Sequence, residues 1–303
     1  MSAGFVLGVD FGGTKIAMAT ARPDGEVLRR ARLATRAEDG AKTVLGRALD
    51  AARHLAAETA ADCDASEGGR LVAAGVATFG VVRDDRVLLA PNVPGWEDLP
   101  LPRLLREGLG APVVRLDNDV NAATAAELRW GGLAGTDTGL YVNLGTGLGA
   151  GVVAGGRVLR GANGAAGEIG YLLRSPGEPG HAAGRAPLEE QVSGGGLARR
   201  ASELAGREIT ARELFGPSVP AGLRGLRDRA LDDLGMAIAN LAISIDPERI
   251  VLGGGMAAEP ELVARLDRLL ARTVPFPPVL KPAHFGTDAA LRGALALALD
   301  ALP

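Results

Sequence analysis

Apolar positions along the chain fall into short unbroken runs and longer stretches of helical period, most of them closed by glycine, proline or Asx residues. Residues 4–9 are a compact apolar run ending at Asp10 and the turn Phe11-Gly12-Gly13-Thr14-Lys15. Ile16 to Ala21 resumes as a second strand, and a third starts at Gly25 to Arg29 after Pro23-Asp24-Gly25, which predicts an antiparallel meander. Val44, Leu45, Ala48, Leu49, Ala52 and Leu55 recur at helical spacing within a helix over about 38–61. Leu71 to Ala77 reads as a buried strand, Arg86 to Ala90 as a further short one, and Leu101 to Leu109 as a helix. Ala111 to Leu116 is a strand, and the alanine run behind it, with Leu128 and Trp130, is a helix closed by Gly131-Gly132.

The pattern then starts over. Gly139 to Leu144 is a strand, Gly145 to Gly149 a glycine turn, Ala150 to Ala154 the returning strand, and Val158-Leu159 follows the turn Gly155-Gly156. Strand, glycine turn and strand are thus used twice, at 10–15 and 144–149, which reads as an internal duplication. Residues 160–186, rich in Gly, Pro and Ala, predict an irregular loop. Helices are expected at about 187–204, 223–245 and 260–272, a strand at 249–252 running into Gly253-Gly254-Gly255, and a terminal helix over 288–302. Alternating strands and helices give the α/β class, and 303 residues favour two lobes over one core.

Chemistry concentrates at strand ends. Asp117-Asn118-Asp119-Val120-Asn121 places two carboxylates and two amides where a strand hands over to a helix. There open α/β sheets bind ligands, and the helix N-terminus adds donors and partial positive charge. One helix cap accounts for one Asx residue, not four in five. In Asp10 to Lys15, glycines let the backbone approach a phosphate, Thr14 and Lys15 add a hydroxyl and a cation, and Asp10 could hold Mg²⁺ through water. The spacing is not that of a Walker loop, and a plain hairpin turn is the competing reading. Gly145 to Gly149, with Thr146, offers a second cradle, and Gly253 to Gly255 a flat backbone surface for a base or ribose.

Composition narrows the classes. A net charge of −3 argues against a nucleic-acid partner, and one cysteine, Cys63, excludes an internal disulfide framework and a cysteine-rich zinc site. No apolar run approaches the ~20 residues that span a membrane, and the N-terminus lacks the regions of a signal peptide, so a soluble cytoplasmic protein is expected.

Gly8-Val-Asp-Phe-Gly-Gly-Thr-Lys15, Asn118-Asp-Val-Asn121, Leu144-Gly-Thr-Gly-Leu-Gly149 and Arg160-Gly-Ala-Asn-Gly-Ala-Ala-Gly-Glu-Ile-Gly170 together resemble the motifs of the ROK family of sugar kinases, in glucokinase-like form. The likeness covers nearly the whole chain, to Pro282-Ala-His-Phe-Gly286 and the last helix. It implies two ribonuclease-H-like lobes of actin/hexokinase type around a central cleft: residues 1–116 with the returning helix 288–303, and residues 117–287. It implies Asp119 as general base. Asn118, Asn92, Glu168 and Glu189 would bind the acceptor. Asp10, Gly12, Gly13, Thr14 and Lys15 would face metal and phosphates, with Gly145, Thr146, Gly147 and Gly149 across the cleft and Gly254 and Gly255 along the nucleoside. Taken alone, Glu168 reads as a loop surface charge and Glu189 as a helix N-terminal acid.

Three departures surround the acceptor. Tyr171 stands where the family has His after E-x-G, Phe79 where it commonly has Pro, and Gly180 to Pro187 contains no cysteine in place of the family's C-x-C-G-x-x-G-C. The structural zinc of the family is therefore expected to be absent, with His181 an ordinary loop residue. The resemblance implies an ATP- and Mg²⁺-dependent kinase of a hexose hydroxymethyl group, most simply glucose at O6, and a homodimer. An amino sugar or sugar-like cyclitol is the alternative acceptor and polyphosphate the alternative donor. A sugar-responsive regulator is disfavoured, because family repressors carry a DNA-binding domain before the first motif, which here lies close to Met1.

Overall fold

Phe5–Phe11 (β1) lies at the centre of a five-stranded sheet because neither of its faces reaches water except near Asp10. In this computed structural model residues 4–63, 69–215 and 219–302 are described; residues 1–3, 64–68 and Pro303 of the expected N-terminal lobe lie outside them. Lys15–Ala21 (β2) and Val27–Ala34 (β3) complete the antiparallel meander, with Asp10 opposite Ala17 and Ala17 opposite Arg32. Helix Ala41–Asp62 (α1) buries Val44, Leu45, Ala48, Ala52 and Leu55 on one face, as its period requires. Leu71–Thr78 (β4) joins β1 in parallel. Val81–Val82 (β5) and Val87–Leu88 (β6) form a separate small hairpin, shorter than the strand expected over 86–90, since Leu89 adopts φ 54° and ends the pairing. Leu101–Gly108 (α2) leads to Val114–Asn118 (β7), which pairs with β4, and Asp119–Trp130 (α3) follows directly.

Gly139–Leu144 (β8), Leu148–Ala154 (β9) and Arg157–Leu159 (β10) repeat the meander. The helix expected over 187–204 is two helices, Pro187–Val192 (α4) and Gly194–Ala205 (α5), broken where Ser193 turns extended and its Oγ accepts from Gly196 N–H at 3.1 Å. Ala211–Phe215 (α6), which the sequence pattern did not announce, precedes Ala221–Ile245 (α7). Arg249–Gly253 (β11), Pro260–Thr273 (α8), the unanticipated edge strand Val279–Pro282 (β12) and Ala289–Leu299 (α9) complete the chain. β12 escaped notice because four residues ending in proline carry no alternation.

The two sheets run β3-β2-β1-β4-β7 and β10-β9-β8-β11-β12, the same topology twice. The chain divides into two compact units. The first runs to Arg129 and takes in Arg160–Ala165 and the segment from Asp288; the second holds Trp130–Leu159 and Ala166–Thr287.

 The first compact unit thus keeps α3 as far as Arg129. α3 stays with the first unit because Gly293 of α9 sits against Ala122, where a Cβ would lie 1.9 Å from the Ala122 carbonyl oxygen, and Ala77, Ala122 and Ala294 bury one another. α9 covers β1 and β4 through Gly8 and Gly75. Among the described residues no helix is long and apolar enough to cross a membrane.

Candidate active site

β7 runs two residues further than its apolar pattern indicates, so Asp117 and Asn118 belong to the sheet, opposite Ala77 and Thr78. Asp119 opens α3. Asn118 is the helix cap: its Oδ1 accepts from Asn121 N–H at 2.6 Å. Asp117, buried, accepts on Oδ1 from Asn118 N–H at 2.9 Å and from Asn121 Nδ2 at 3.0 Å, and its Oδ2 lies 3.3 Å from Arg160 Nε. The four Asx residues therefore divide the work: one cap, two supports, and one carboxylate. Asp119 Oδ1 accepts from Val120 N–H at 2.9 Å, and burial pushes its carboxyl up to about 6 against the lowering effect of backbone donors. Asp10, at the end of β1, is pushed up to about 7, first by burial and then by the negative charge of Asp119, with Lys15 opposing. Asp10 thus feels the charge of Asp119 although β4 lies between β1 and β7.

The turn after Asp10 closes through Gly12 N–H to Lys15 O at 3.0 Å, and Thr35 Oγ1 donates to Gly12 O at 2.6 Å. A Cβ at Gly12 would meet the Lys15 carbonyl oxygen at 2.8 Å, and one at Gly13 would lie 3.3 Å from Asn92 Nδ2. Asn92 is therefore brought against the glycine turn, on a loop pinned by buried Val93 and Trp96. Thr14 and Lys15 are exposed at its tip. Phe79 is 7% exposed and packs on Trp96 with ring centroids 5.2 Å apart, while Phe11 packs on the same indole at 5.1 Å. The aromatic ring at this position helps to fill the core of the first unit.

In the second unit the Gly145–Gly149 turn docks on the start of α5. Gly194 N–H donates to Gly145 O at 2.8 Å and Gly195 N–H to Thr146 O at 3.0 Å. A Cβ at Gly194, Gly195 or Gly196 would meet a carbonyl oxygen at 2.8, 2.9 or 2.5 Å. Sequence reasoning passed over this glycine trio; its signal was Ser193-Gly-Gly-Gly196, a capping residue before three residues that are poor helix formers. Glu189 Oε2 accepts from Leu148 N–H at 2.8 Å, and its Cβ stands 3.1 Å from the place of a Gly170 Cβ, so Glu189 joins the glycine turn to the Glu168–Tyr171 segment. Of the strand-end glycines, Gly253 makes room for Tyr141 and Gly254 for the backbone of Leu144 and Gly145, with φ 84°. Gly255 alone has open space where a side chain would be. Gly147 and Gly149 lie in the same turn and strand start, with Thr146 exposed.

Glu168 and Tyr171, both partly exposed, flank a short 3₁₀ turn at Ile169–Tyr171. The Tyr171 ring meets His181 edge-on at 5.5 Å. The following loop is clasped by charge. Arg174 Nη1 donates to Asp233 Oδ2 on α7 at 2.8 Å, its Nη2 pairs with Glu178, and Glu178 Oε2 accepts from Arg174 N–H at 2.8 Å. These donors hold the Glu178 carboxyl below its ordinary range, the Arg174 backbone N–H contributing most. Arg185 pairs with Glu190 in the same way at the loop's end, and holds that carboxyl near about 2. Charge-assisted bonds of this kind are stronger than neutral ones and tie the loop to α4 and α7. Arg174→Ala is expected to raise amide exchange over 172–185 about tenfold in mass-detected hydrogen exchange, from loss of bonds worth about 1.5–3 kcal/mol; unchanged exchange would mean that packing alone holds the loop.

A sequence model of the ROK family matches residues 6–301. The chain belongs to the ROK family. It is 32% identical to a glucokinase of Halalkalibacterium halodurans, over 97% of this chain and 94% of that protein. It is also 32% identical to an N-acetylmannosamine kinase of Shigella flexneri, over 97% of this chain and 98% of that one. The solved ROK glucokinase of Streptomyces griseus, in complex with glucose and AMPPNP, superposes with a TM-score of 0.76 at 30% identity, covering 98% of this chain and 100% of the other. The ROK chain is accordingly a sugar kinase, a phosphotransferase with an alcohol acceptor, and its fold is the actin/hexokinase type.

The first unit of this ROK kinase fits a divalent cation. Asp10 and Asp119 are mutually repelling oxygen donors only partly offset by Lys15. Among the described residues no three carboxylates, histidines or cysteines gather, so an ion there would rest on Asp10, water and phosphate oxygens, as Mg²⁺ ordinarily does.

Proposed function

We propose that this ROK kinase transfers the γ-phosphoryl group of ATP to a hexose hydroxymethyl group, with glucose at O6 as the acceptor. The observation that carries the reading is Asp119: a carboxylate at a helix N-terminus, accepting from Val120 N–H, whose pKa burial raises to about 6. Such a group is ionised at pH 7 yet basic enough to accept the hydroxyl proton as the oxygen attacks phosphorus. Asp119 takes that proton, and ADP carries away the electron pair of the broken P–O bond. Asn118, its carbonyl committed to the cap, has its NH₂ group to offer an acceptor oxygen. Asn92, Glu168, Glu189 and Tyr171 are proposed as further acceptor contacts. Gly12, Gly13, Thr14, Lys15, Gly145, Thr146, Gly147, Gly149 and Gly255 are proposed for the nucleotide, and Gly254 acts there by packing. A bound Mg²⁺, held through water by Asp10, would neutralise charge on the phosphates.

A second reading, an amino sugar as acceptor, draws on Tyr171 at the family's histidine position and on the N-acetylmannosamine kinase relative. Steady-state ADP release should be measured with glucose, mannose, glucosamine, N-acetylmannosamine and a cyclitol, with ATP or polyphosphate as donor. kcat/KM at least tenfold higher for glucose with ATP is expected. The same preference for an amino sugar would establish the second reading, and no turnover on any acceptor would sink both.

A further inference from the structure

We propose that Arg160 is a positioning residue for the acceptor end of the site: its guanidinium holds the buried Asp117 carboxylate, and Asp117 in turn sets the two amides at the head of α3. The inference rests on the kinase reading above and extends it to a residue that touches neither substrate.

Asp117 is 6% exposed, and both of its oxygens are engaged. Oδ1 takes the Asn118 N–H and the Asn121 Nδ2, while Oδ2 faces Arg160 Nε at 3.3 Å. Asn121 is 1% exposed, and its Oδ1 is buried with no hydrogen-bond partner. That orphan is informative. Nothing bonded to Oδ1 selects the amide's orientation, so the selection comes from the other end, where Nδ2 meets a carboxylate; the flipped amide would set oxygen against oxygen. The orientation therefore depends on Asp117 remaining an anion. Burial works against this by favouring the protonated form, and the positive charge of Arg160 is the largest opposing influence. Without Arg160, a protonated Asp117 would donate its O–H to Asn121 Oδ1, turning the amide. Asn121 N–H is bonded at 2.6 Å to Asn118 Oδ1, so movement there reaches the cap and, one residue on, Asp119.

Arg160 is itself placed deliberately. Its Nη2 points at Val82 O at 3.4 Å, and Arg83 Nη1 donates to Asn163 Oδ1 at 2.6 Å. Gly164, at φ 74°, seats against the Val82 carbonyl, where a Cβ would come within 2.5 Å of the oxygen. Arg160, Asn163 and Gly164 thus anchor the segment 160–165 to the β5–β6 hairpin within the first unit. The front of the Arg160–Gly170 motif has a task separate from that of Glu168 at its back.

The test is steady-state kinetics on the full chain with its best acceptor and ATP, for the wild type, R160A, R160K, D117N and D117N/R160A. R160A is expected to lower acceptor kcat/KM about 10–100-fold, the effect of displacing reacting groups by a fraction of an ångström to an ångström. KM for ATP should stay within about twofold. R160K, which restores the charge, should recover at least about threefold over R160A. D117N should abolish the effect of the second change, so that D117N and D117N/R160A agree within about twofold. Arg160 has a side chain 45% exposed, so R160A is expected to fold; if its melt is lost, R160K and R160Q carry the comparison. An R160A enzyme within twofold of wild type overturns the inference, as does a double mutant that loses the product of the two single effects. A wild type without turnover overturns the kinase reading instead.

Discussion

Asp119→Asn is expected to lower kcat by about a thousandfold or more, within the upper range for removal of a general base, while sugar affinity measured by calorimetry stays within a few-fold. The asparagine keeps the shape at the head of α3 and can still accept from Val120 N–H, so α3 should not move. What is lost is the capacity to take a proton. The wild-type pH profile should report the same group. Burial raises the Asp119 carboxyl, and with a value of about 6 the base is mostly ionised at pH 7 and mostly protonated at pH 5. Activity should therefore be held above about pH 6 and fall by roughly tenfold per unit well below it. Saturating divalent cation is needed in the assay, because Asp10, itself raised to about 7, would otherwise titrate together with Asp119 as a pair. A D119N enzyme with near-normal turnover would remove Asp119 from the base role.

Gly293→Val is expected to be among the most damaging single changes away from the acid cluster. A Cβ at this position would stand 1.9 Å from the Ala122 carbonyl oxygen and 2.0 Å from its carbon, and both atoms are backbone of α3. α9 would have to lift from α3, undoing the seat that Gly75 gives it, where a Cβ would lie 1.9 Å from Ala294 O. Forced overpacking of this kind costs about 3 kcal/mol, which for a chain of this size lowers Tm by roughly 6–12 °C. Gly46→Ala on α1 is the control: no atom lies within 4 Å of its would-be Cβ, and replacing a helical glycine there should raise stability by about 0.4–1 kcal/mol. A G293V melt within 2 °C of wild type would show that α9 is not seated through this contact. Because α3 begins with Asp119, loss of the α9 seat is expected to reduce kcat at temperatures well below the melt.

Most strands and the long helices were legible in the chain because their buried faces impose a period. β1, β4 and β8 are buried through nearly their full length, and α1 and α8 show one apolar stripe. The duplicated topology was legible for a different reason: each glycine turn must let backbone approach backbone, and glycine alone permits it at Gly12 and, in the second unit, at Gly194 to Gly196 beside the turn. Elements without such a constraint went unseen. β12 has no buried alternation, and the break at Ser193 depends on a cap that competes with helix continuation.

The chain by itself determined the family, the α/β class and the place of the acid cluster, since these follow from local composition: glycine where a turn needs it and Asx where a helix begins. Tertiary structure decided which Asx residue does what. Asp117, Asn118 and Asn121 differ from Asp119 only through partners distant in sequence or one helical turn away: Arg160 on Asp117, the cap bond between Asn118 and Asn121, and the backbone donor on Asp119. It also packed Phe79 on Trp96 in the core of the first unit, a contact between residues 17 positions apart that the order of residues does not show. Charge and hydrogen-bond partners act through space, over distances of a few ångströms that the order of residues does not record.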